Sequence, residues 1–426
     1  MNANSNKDSI PGFLEKGYIL LFALLPWSVE RGFGDWNLMV PSEPLILLLG
    51  LGLALALVRR PSRFFIPART PSRFLKPGRS LAIWIAWMGI SAACSTMNTV
   101  SLKYWLVEAG HFWVFGVGMM LWPMLWRRVL PYFLFSMLGV VCYTIFHHSL
   151  YGFRADQAML APMPFFPDHT LYAAVLAILI FYGQIEWNGT DALARLLHKK
   201  GVKNGITVFL FVALLLSTCR AALLSSAFAA AVFAVFYFRK KYKYLAAGAL
   251  LTGLLILLMA GSKVYNASSG DVSVLERLNR WDCAASMLAA RPLTGFGPGT
   301  YQFQYLPFQQ PEKMTRISVR EPLAGRGPDT YGRGGGAHSE YWQAGAELGW
   351  PGLVLWLTLV CSSLWLGFRR AFLSPEKVSR GWALLTTLGL LTFFIHALAN
   401  NFLHDARIAA LVWGGVAYLL GINTKK

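Results

Sequence analysis

Two apolar runs, ITVFLFVALLLSTC at 206–219 and AALLSSAFAAAVFAVFYF at 221–238, are separated by one residue, Arg220. Each run suits a helix crossing much of a bilayer, and a single charge between them marks a tight turn at a membrane surface. The other basic clusters fall in alternate loops, which puts Arg220 on the opposite face. A guanidinium held there, on the side without ATP, suits an anionic lipid-linked group, because its fork of donors matches phosphate oxygens.

Outward from this pair the pattern repeats. The 426 residues are 55% hydrophobic and 14% aromatic, which indicates a polytopic membrane protein. Apolar stretches run over 17–27, 38–58, 81–97, 104–126, 129–146, 170–187, 206–219, 221–238, 244–260, 341–368, 382–399 and 407–420. The expected fold is an all-α integral membrane protein of about twelve transmembrane helices. Residues 1–260 carry helices 1–9, residues 261–340 form one large extracytoplasmic loop domain with amphipathic helices, and residues 341–426 carry helices 10–12. The first stretch lacks a small-residue cleavage site and a second span follows it, so it reads as a retained helix.

The charges fit this layout with a cytoplasmic N-terminus. Arg59, Arg60, Arg63, Arg69, Arg73, Lys76 and Arg79 follow the second stretch, Arg127 and Arg128 the fourth, and Arg195, Lys199, Lys200 and Lys203 the sixth. Arg239, Lys240, Lys241 and Lys243 follow the eighth, Arg369, Arg370, Lys377 and Arg380 the tenth, and Lys425 and Lys426 close the chain. Most of the formal charge of +19 is thus a topology signal. Dispersed loops do not offer the single basic face that nucleic acid requires.

The exception is the segment 261–339, which carries Lys263, Arg277, Arg280, Arg291, Lys313, Arg316, Arg320, Arg326 and Arg333. Long loops translocate regardless of charge. Ser273 and Glu276 have capping-box spacing, and Val274, Leu275, Leu278, Trp281, Ala285 and Leu288 recur at helical spacing. The periodicity predicts an amphipathic helix with Arg277 and Arg280 on its polar face, ending before Pro292 and the turn-rich Gly295, Gly297 and Gly299. After Gly334, Gly335 and Gly336, a helix is expected to start at His338, whose place in the first turn favours neutral imidazole, able to accept a proton.

The residues from His338 to Gly352, HSEYWQAGAELGWPG, resemble the signature segment of the O-antigen ligase and polymerase superfamily (the WaaL, Wzy and PglL group). STCRAA at 217–222 is similar to its arginine-bearing segment between two helices. RLNRW at 277–281 and RPLTGFG at 291–297 are similar to its loop helix and glycine turn. The family often has Asn after the histidine, where this chain has Ser339, and Ser before the first arginine, where it has Cys219.

The resemblance implies a GT-C-like glycosyltransferase in the bacterial inner membrane, with its active site on the periplasmic side. It also implies an undecaprenyl-diphosphate-linked glycan donor, a lipid A core acceptor, surrounding membrane lipids, no nucleic acid and no cofactor. Arg220 and Arg277 are then the expected diphosphate ligands, with Arg280 and Arg291 as further candidates, and His338 the general base for inverting transfer. Charge building on the leaving diphosphate is stabilised by fixed cations, each contributing about 4 kcal/mol of gross attraction at contact. No Asp-x-Asp pair, Walker or Rossmann pattern occurs, so the expectation is metal-independent chemistry.

Other ionisable groups lie in or beside the spans. Glu108 and His111 read as functional or as a buried structural pair, and Asp168 and His169 as possible support at the outer start of the sixth helix. Asp405 either orients an arginine, pairs with His404 or is solvated; His396 lies nearby, and His147 and His148 have no evident partner. The five cysteines lack paired spacing. Three readings compete: a ligase, a polymerase or protein oligosaccharyltransferase of the same chemistry, and a lipid-linked glycan transporter. The absence of internal repeats and of paired midplane charges argues against the last.

Overall fold

The computed structural model describes residues 10–33, 36–59, 77–187, 192–238, 272–314 and 335–421. The ninth apolar stretch, most of the basic loop after the second stretch, and Lys263, Arg316, Arg320, Arg326 and Arg333 lie outside them. The elements are α1 (Gly12–Leu24), β1 (Val29–Phe33), β2 (Trp36–Val40), α2 (Ser42–Arg59), α3 (Pro77–Ala93), α4 (Asn98–His111), α5 (Gly118–Leu121) and α6 (Pro123–Ser149). They continue with α7 (His169–Tyr182), α8 (Ala192–His198), α9 (Lys200–Leu216), α10 (Arg220–Phe238), α11 (Val272–Ala290), α12 (Tyr301–Gln304), α13 (Glu340–Leu373), α14 (Lys377–His396) and α15 (Ala406–Gly421).

Among the described residues, eleven of the twelve apolar stretches fall on helices. Four of these, α2, α6, α13 and α14, are long and apolar enough to cross a membrane, and this is a mostly helical, multi-pass membrane protein. On α2, Ile46, Leu49, Leu53 and Leu57 are buried at helical spacing while Leu47, Leu48, Leu51 and Leu55 are exposed. A helix apolar on both faces needs lipid outside and protein inside. α14 is the central helix, packed against α13, α7, α10 and α15.

The structure departs from the sequence expectation at several joints. A two-stranded antiparallel hairpin, with Val29 opposite Val40, separates α1 from α2, so the described fold is not wholly α. The fourth and fifth stretches meet at Trp122, where the backbone leaves the helical region, and Pro123 starts α6. Proline suits a first helical position, which draws Arg127 and Arg128 into the opening turns of α6 rather than into a loop.

The tenth stretch is two helical pieces. At Gly349 (φ 70°) α13 bends, leaving residues 340–348 as a stub before the spanning part. A Cβ there would lie 2.2 Å from the Leu293 carbonyl oxygen, so both the backbone conformation and the space require glycine.

Candidate active site

The stub of α13 is built around Glu347. Its carboxylate accepts from the backbone N–H groups of Gly299 and Tyr301, both at 2.9 Å, and from Gln343 Nε2 at 2.7 Å. Ser91 and Ser95 of the α3 end donate to the carbonyls of Thr294 and Phe296, and Trp87 donates to that of Leu348. Gly297 (φ 106°) passes so close to Ser95 that a Cβ would sit 2.3 Å from its hydroxyl oxygen. The glycine turn is therefore a clamp on the stub, and Glu347 is a structural residue that sequence reasoning passed over.

His338 lies at the head of this stub but not in its first turn. It has φ 52°, and the N-cap is Ser339, whose hydroxyl accepts from the Trp342 N–H at 3.4 Å. Serine and asparagine are about equally good caps, which explains why Ser339 can replace the family's asparagine. The imidazole is still held neutral, by causes other than the helix dipole. Burial, then the positive charges of Arg280 and Arg277, pull its pKa down to about 4, against the opposing fields of Glu276 and Asp168.

The two loop arginines differ. Arg280 is buried: it donates to Glu276 at 2.8 Å, to the carbonyls of Gly335 and Gly336 at 3.2 Å, and to the Tyr305 hydroxyl at 3.3 Å. Its guanidinium also covers the Tyr305 ring at 4.6 Å. It thus sits under the turn that carries His338. Trp281 Nε1 donates to the His338 carbonyl and Gln343 accepts from the Ala337 N–H, completing the support of that turn. Ser273 lies inside α11, where its hydroxyl accepts from Arg277 at 2.7 Å, and Glu276 faces Arg280, so the capping-box spacing places partners for arginines.

Arg277 is half-buried, with Nε donating to the Ala399 carbonyl at 3.2 Å. That carbonyl belongs to the short turn ending α14, which gathers three separate stretches of chain. Ala397 O accepts from Glu340 N at 2.9 Å, two residues after His338, and His396 Nε2 lies 3.8 Å from Cys219 Sγ, next to Arg220. Arg220 itself is the exposed first residue of α10. The tip before it is tight: Thr218 has φ 55°, and the Ser217 hydroxyl accepts from the Cys219 N–H. A β-branched residue in the left-handed region costs roughly 1–3 kcal/mol, and such strain concentrates at functional sites.

The remaining candidates divide. Asp168 caps α7, accepting from the Thr170 N–H and hydroxyl, both at 2.7 Å, with His169 Nδ1 3.1 Å away. Burial raises its pKa, but the hydrogen bonds from His169 and Thr170 prevail and bring it down to about 2, and its field reaches His338 and Cys219. Asp405 instead caps α15 and clamps Arg407 through its carboxylate, with the Arg407 guanidinium 4.2 Å over Phe166. The arginine that Asp405 orients is thus Arg407. Arg291 lies beyond the far end of α11, 4.9 Å over the Phe296 ring. The helical residues 278–290 separate it from Arg277, about 20 Å along the axis, too far to grip one diphosphate together.

Glu108 and His111 are buried in α4 with no hydrogen bond to each other among the described residues. His147 and His148 hydrogen-bond the carbonyls of Ala161 and Arg154, tying down the α6–α7 loop. Among the described residues, no group of three or more His, Cys, Asp or Glu side chains is arranged to hold a metal ion.

The fold and these contacts define a multi-pass membrane protein in which polar groups from the α9–α10 tip, α11 and the α13 stub assemble at the end of α14. Residues 205–357 match the family model for O-antigen ligase, the superfamily that the signature segment resembles. The matched span holds Arg220, Arg277, Arg280, Arg291 and His338, whereas Asp168, His169, His396 and Asp405 lie outside it. No curated protein compared with the chain matches it.

Proposed function

We propose that the protein is an O-antigen ligase, transferring a glycan from undecaprenyl diphosphate to a sugar hydroxyl of the lipid A core at the periplasmic face of the inner membrane. The observation that carries this reading is the α14 end, where one short turn contacts Arg277, the residue before Arg220 and the helix that follows His338. Arg220 and Arg277 bind the donor diphosphate. His338 takes the proton of the acceptor hydroxyl as its oxygen attacks the anomeric carbon; the bond from that carbon to the diphosphate oxygen breaks and its electron pair leaves with the diphosphate. Attack opposite the leaving group inverts the anomeric centre, and the proton passes from His338 to solvent or to the departing diphosphate. Arg280 positions the His338 turn, Asp168 tunes the local field, and Arg291 is not a diphosphate ligand.

The arrangement also couples donor to base. Arg280 and Arg277 disfavour protonation of His338. A bound diphosphate offsets part of that positive field and raises the proton affinity of the imidazole when a base is needed. The test is transfer by purified protein from a lipid-linked donor to a lipid A core acceptor with chelator present, alongside the lipopolysaccharide band ladder of a deletion strain. A ligase gives chelator-resistant transfer, and its deletion leaves uncapped core while lipid-linked polymer accumulates. Loss of chain length with single units still attached would instead indicate a polymerase, and transfer to protein an oligosaccharyltransferase.

A further inference from the structure

Cys219 and His396 are 177 residues apart in sequence, both buried, with Sγ 3.8 Å from Nε2. Neither enters the chemistry proposed above, yet each adjoins a part of it. Cys219 is the residue before Arg220 and follows Thr218, whose left-handed backbone turns the chain sharply. His396 is the last residue of α14, one residue before the carbonyl that accepts from Glu340 and three before the one that accepts from Arg277. The His396 ring lies edge-on to Phe402 at 5.7 Å, and its Nδ1 has no hydrogen-bond partner among the described residues. Its polar tie among those residues is therefore to the tip that carries Arg220.

We propose that His396 is a positioning residue for donor recognition: through its contact with Cys219 it holds the α9–α10 tip so that Arg220 and Arg277 face the same diphosphate. The physical argument is geometric. Arg277 is referenced to the α14 end by its bond to Ala399, but Arg220 stands on a separate helical hairpin with a strained three-residue turn. Two cations bind one diphosphate well only when their spacing is fixed before the ligand arrives, and a displacement of an ångström is enough to weaken both contacts. The Cys219–His396 contact gives Arg220 the same reference point as Arg277. The family's serine at the cysteine position would serve as well, since a hydroxyl also hydrogen-bonds an imidazole nitrogen.

This rests on the diphosphate role of Arg220, so Arg220→Ala is measured in the same experiment. The variants are His396→Ala, His396→Gln, Cys219→Ala and His396→Ala combined with Arg220→Ala, in the purified full-length protein with lipid-linked donor and lipid A core acceptor. His396→Ala is expected to lower kcat/KM for the donor about tenfold while leaving the acceptor KM unchanged, and Cys219→Ala to act in the same direction. His396→Gln, whose amide nitrogen can take the place of Nε2, should recover most of the loss. In the Arg220→Ala background His396→Ala should add nothing, because the arginine it positions is gone. Losses that multiply in the double variant, or His396→Ala with wild-type donor kinetics, overturn the proposal. Full donor use by Arg220→Ala would instead remove the diphosphate reading beneath it.

Discussion

The two ends of the helical bundle both carry arginines, and they use them differently. At the end formed by the start of α6 and the close of α15, Arg127 donates to the Tyr418 hydroxyl at 2.9 Å and lies 5.0 Å over the Trp382 ring, while Arg370 donates to the Leu420 carbonyl. These cations tie helix ends together. At the other end Arg280 is spent in the same way, but Arg277 is half-buried against the end of α14, and Arg220 is exposed on the tip that contacts the same end. A charge count cannot tell the two uses apart. Partners and exposure can: Arg127 and Arg370 are held between helix ends, whereas Arg220 is exposed and Arg277 half-buried at the end of α14.

Removing the base should break this comparison most severely. His338→Ala is expected to cut transfer by roughly 10²–10⁴-fold while donor affinity stays near normal, as read by kcat and by equilibrium binding of the lipid-linked donor. Next come the cations. Arg277→Ala should lower donor kcat/KM about a hundredfold, with little rescue by lysine, whereas Arg127→Ala at the opposite end should leave turnover per folded molecule unchanged. Equal losses from the two would erase the distinction between the ends.

Arg280→Ala sharpens the contrast on the stability side. It leaves Glu276 buried without its ion-pair partner, 3% exposed, and should cost about 3–5 kcal/mol in the unfolding of detergent-solubilised protein. Asp405→Asn, which takes the charge from the partner of the buried Arg407, should act in the same direction with less effect on donor KM than Arg277→Ala. A smaller effect is expected in the pH profile. Because the His338 pKa is lowered to about 4, the imidazole remains neutral as pH falls through its ordinary value of about 6.5, so kcat/KM should hold until close to pH 4. With donor bound the acid limb should move upward, so kcat should begin to fall at a higher pH than kcat/KM. Smallest is Ser339: alanine should cost about 1 kcal/mol through the lost cap and asparagine almost nothing.

The helices were legible because lipid imposes a simple rule on sequence. Every buried backbone group must bond within its own segment, so apolar runs such as 221–238 and 407–420 report helices directly. The joints were less legible, since apolar residues continue through them: Trp122 ends one helix and Gly349 bends another without a break in hydropathy. Arg220, Arg277 and His338 stand out in the sequence because charge and imidazole are rare beside spans. Their supports were hidden because those depend on tertiary contact. Nothing local in the sequence says that Glu347 holds the glycine turn, that Arg280 lies under the histidine rather than in solvent, or that Ala399 presents its carbonyl to Arg277. Arg291 shows the reverse error, a motif match that the length of α11 carries away from the cluster.

The central claim is that the α9–α10 tip and α11 stand together on the outward face, while the start of α9 faces the cytosol. It is tested most directly by single-cysteine labelling in a background with Cys94, Cys142, Cys219, Cys283 and Cys361 replaced. Thr218→Cys and Ala289→Cys, both at exposed positions, should react with a membrane-impermeant maleimide in cells whose outer membrane alone is permeabilised. Gly201→Cys, at the other end of α9, should react only after the inner membrane is opened. Labelling of Thr218→Cys and Ala289→Cys from opposite sides would contradict the account, because Arg220 and Arg277 could then never meet one diphosphate.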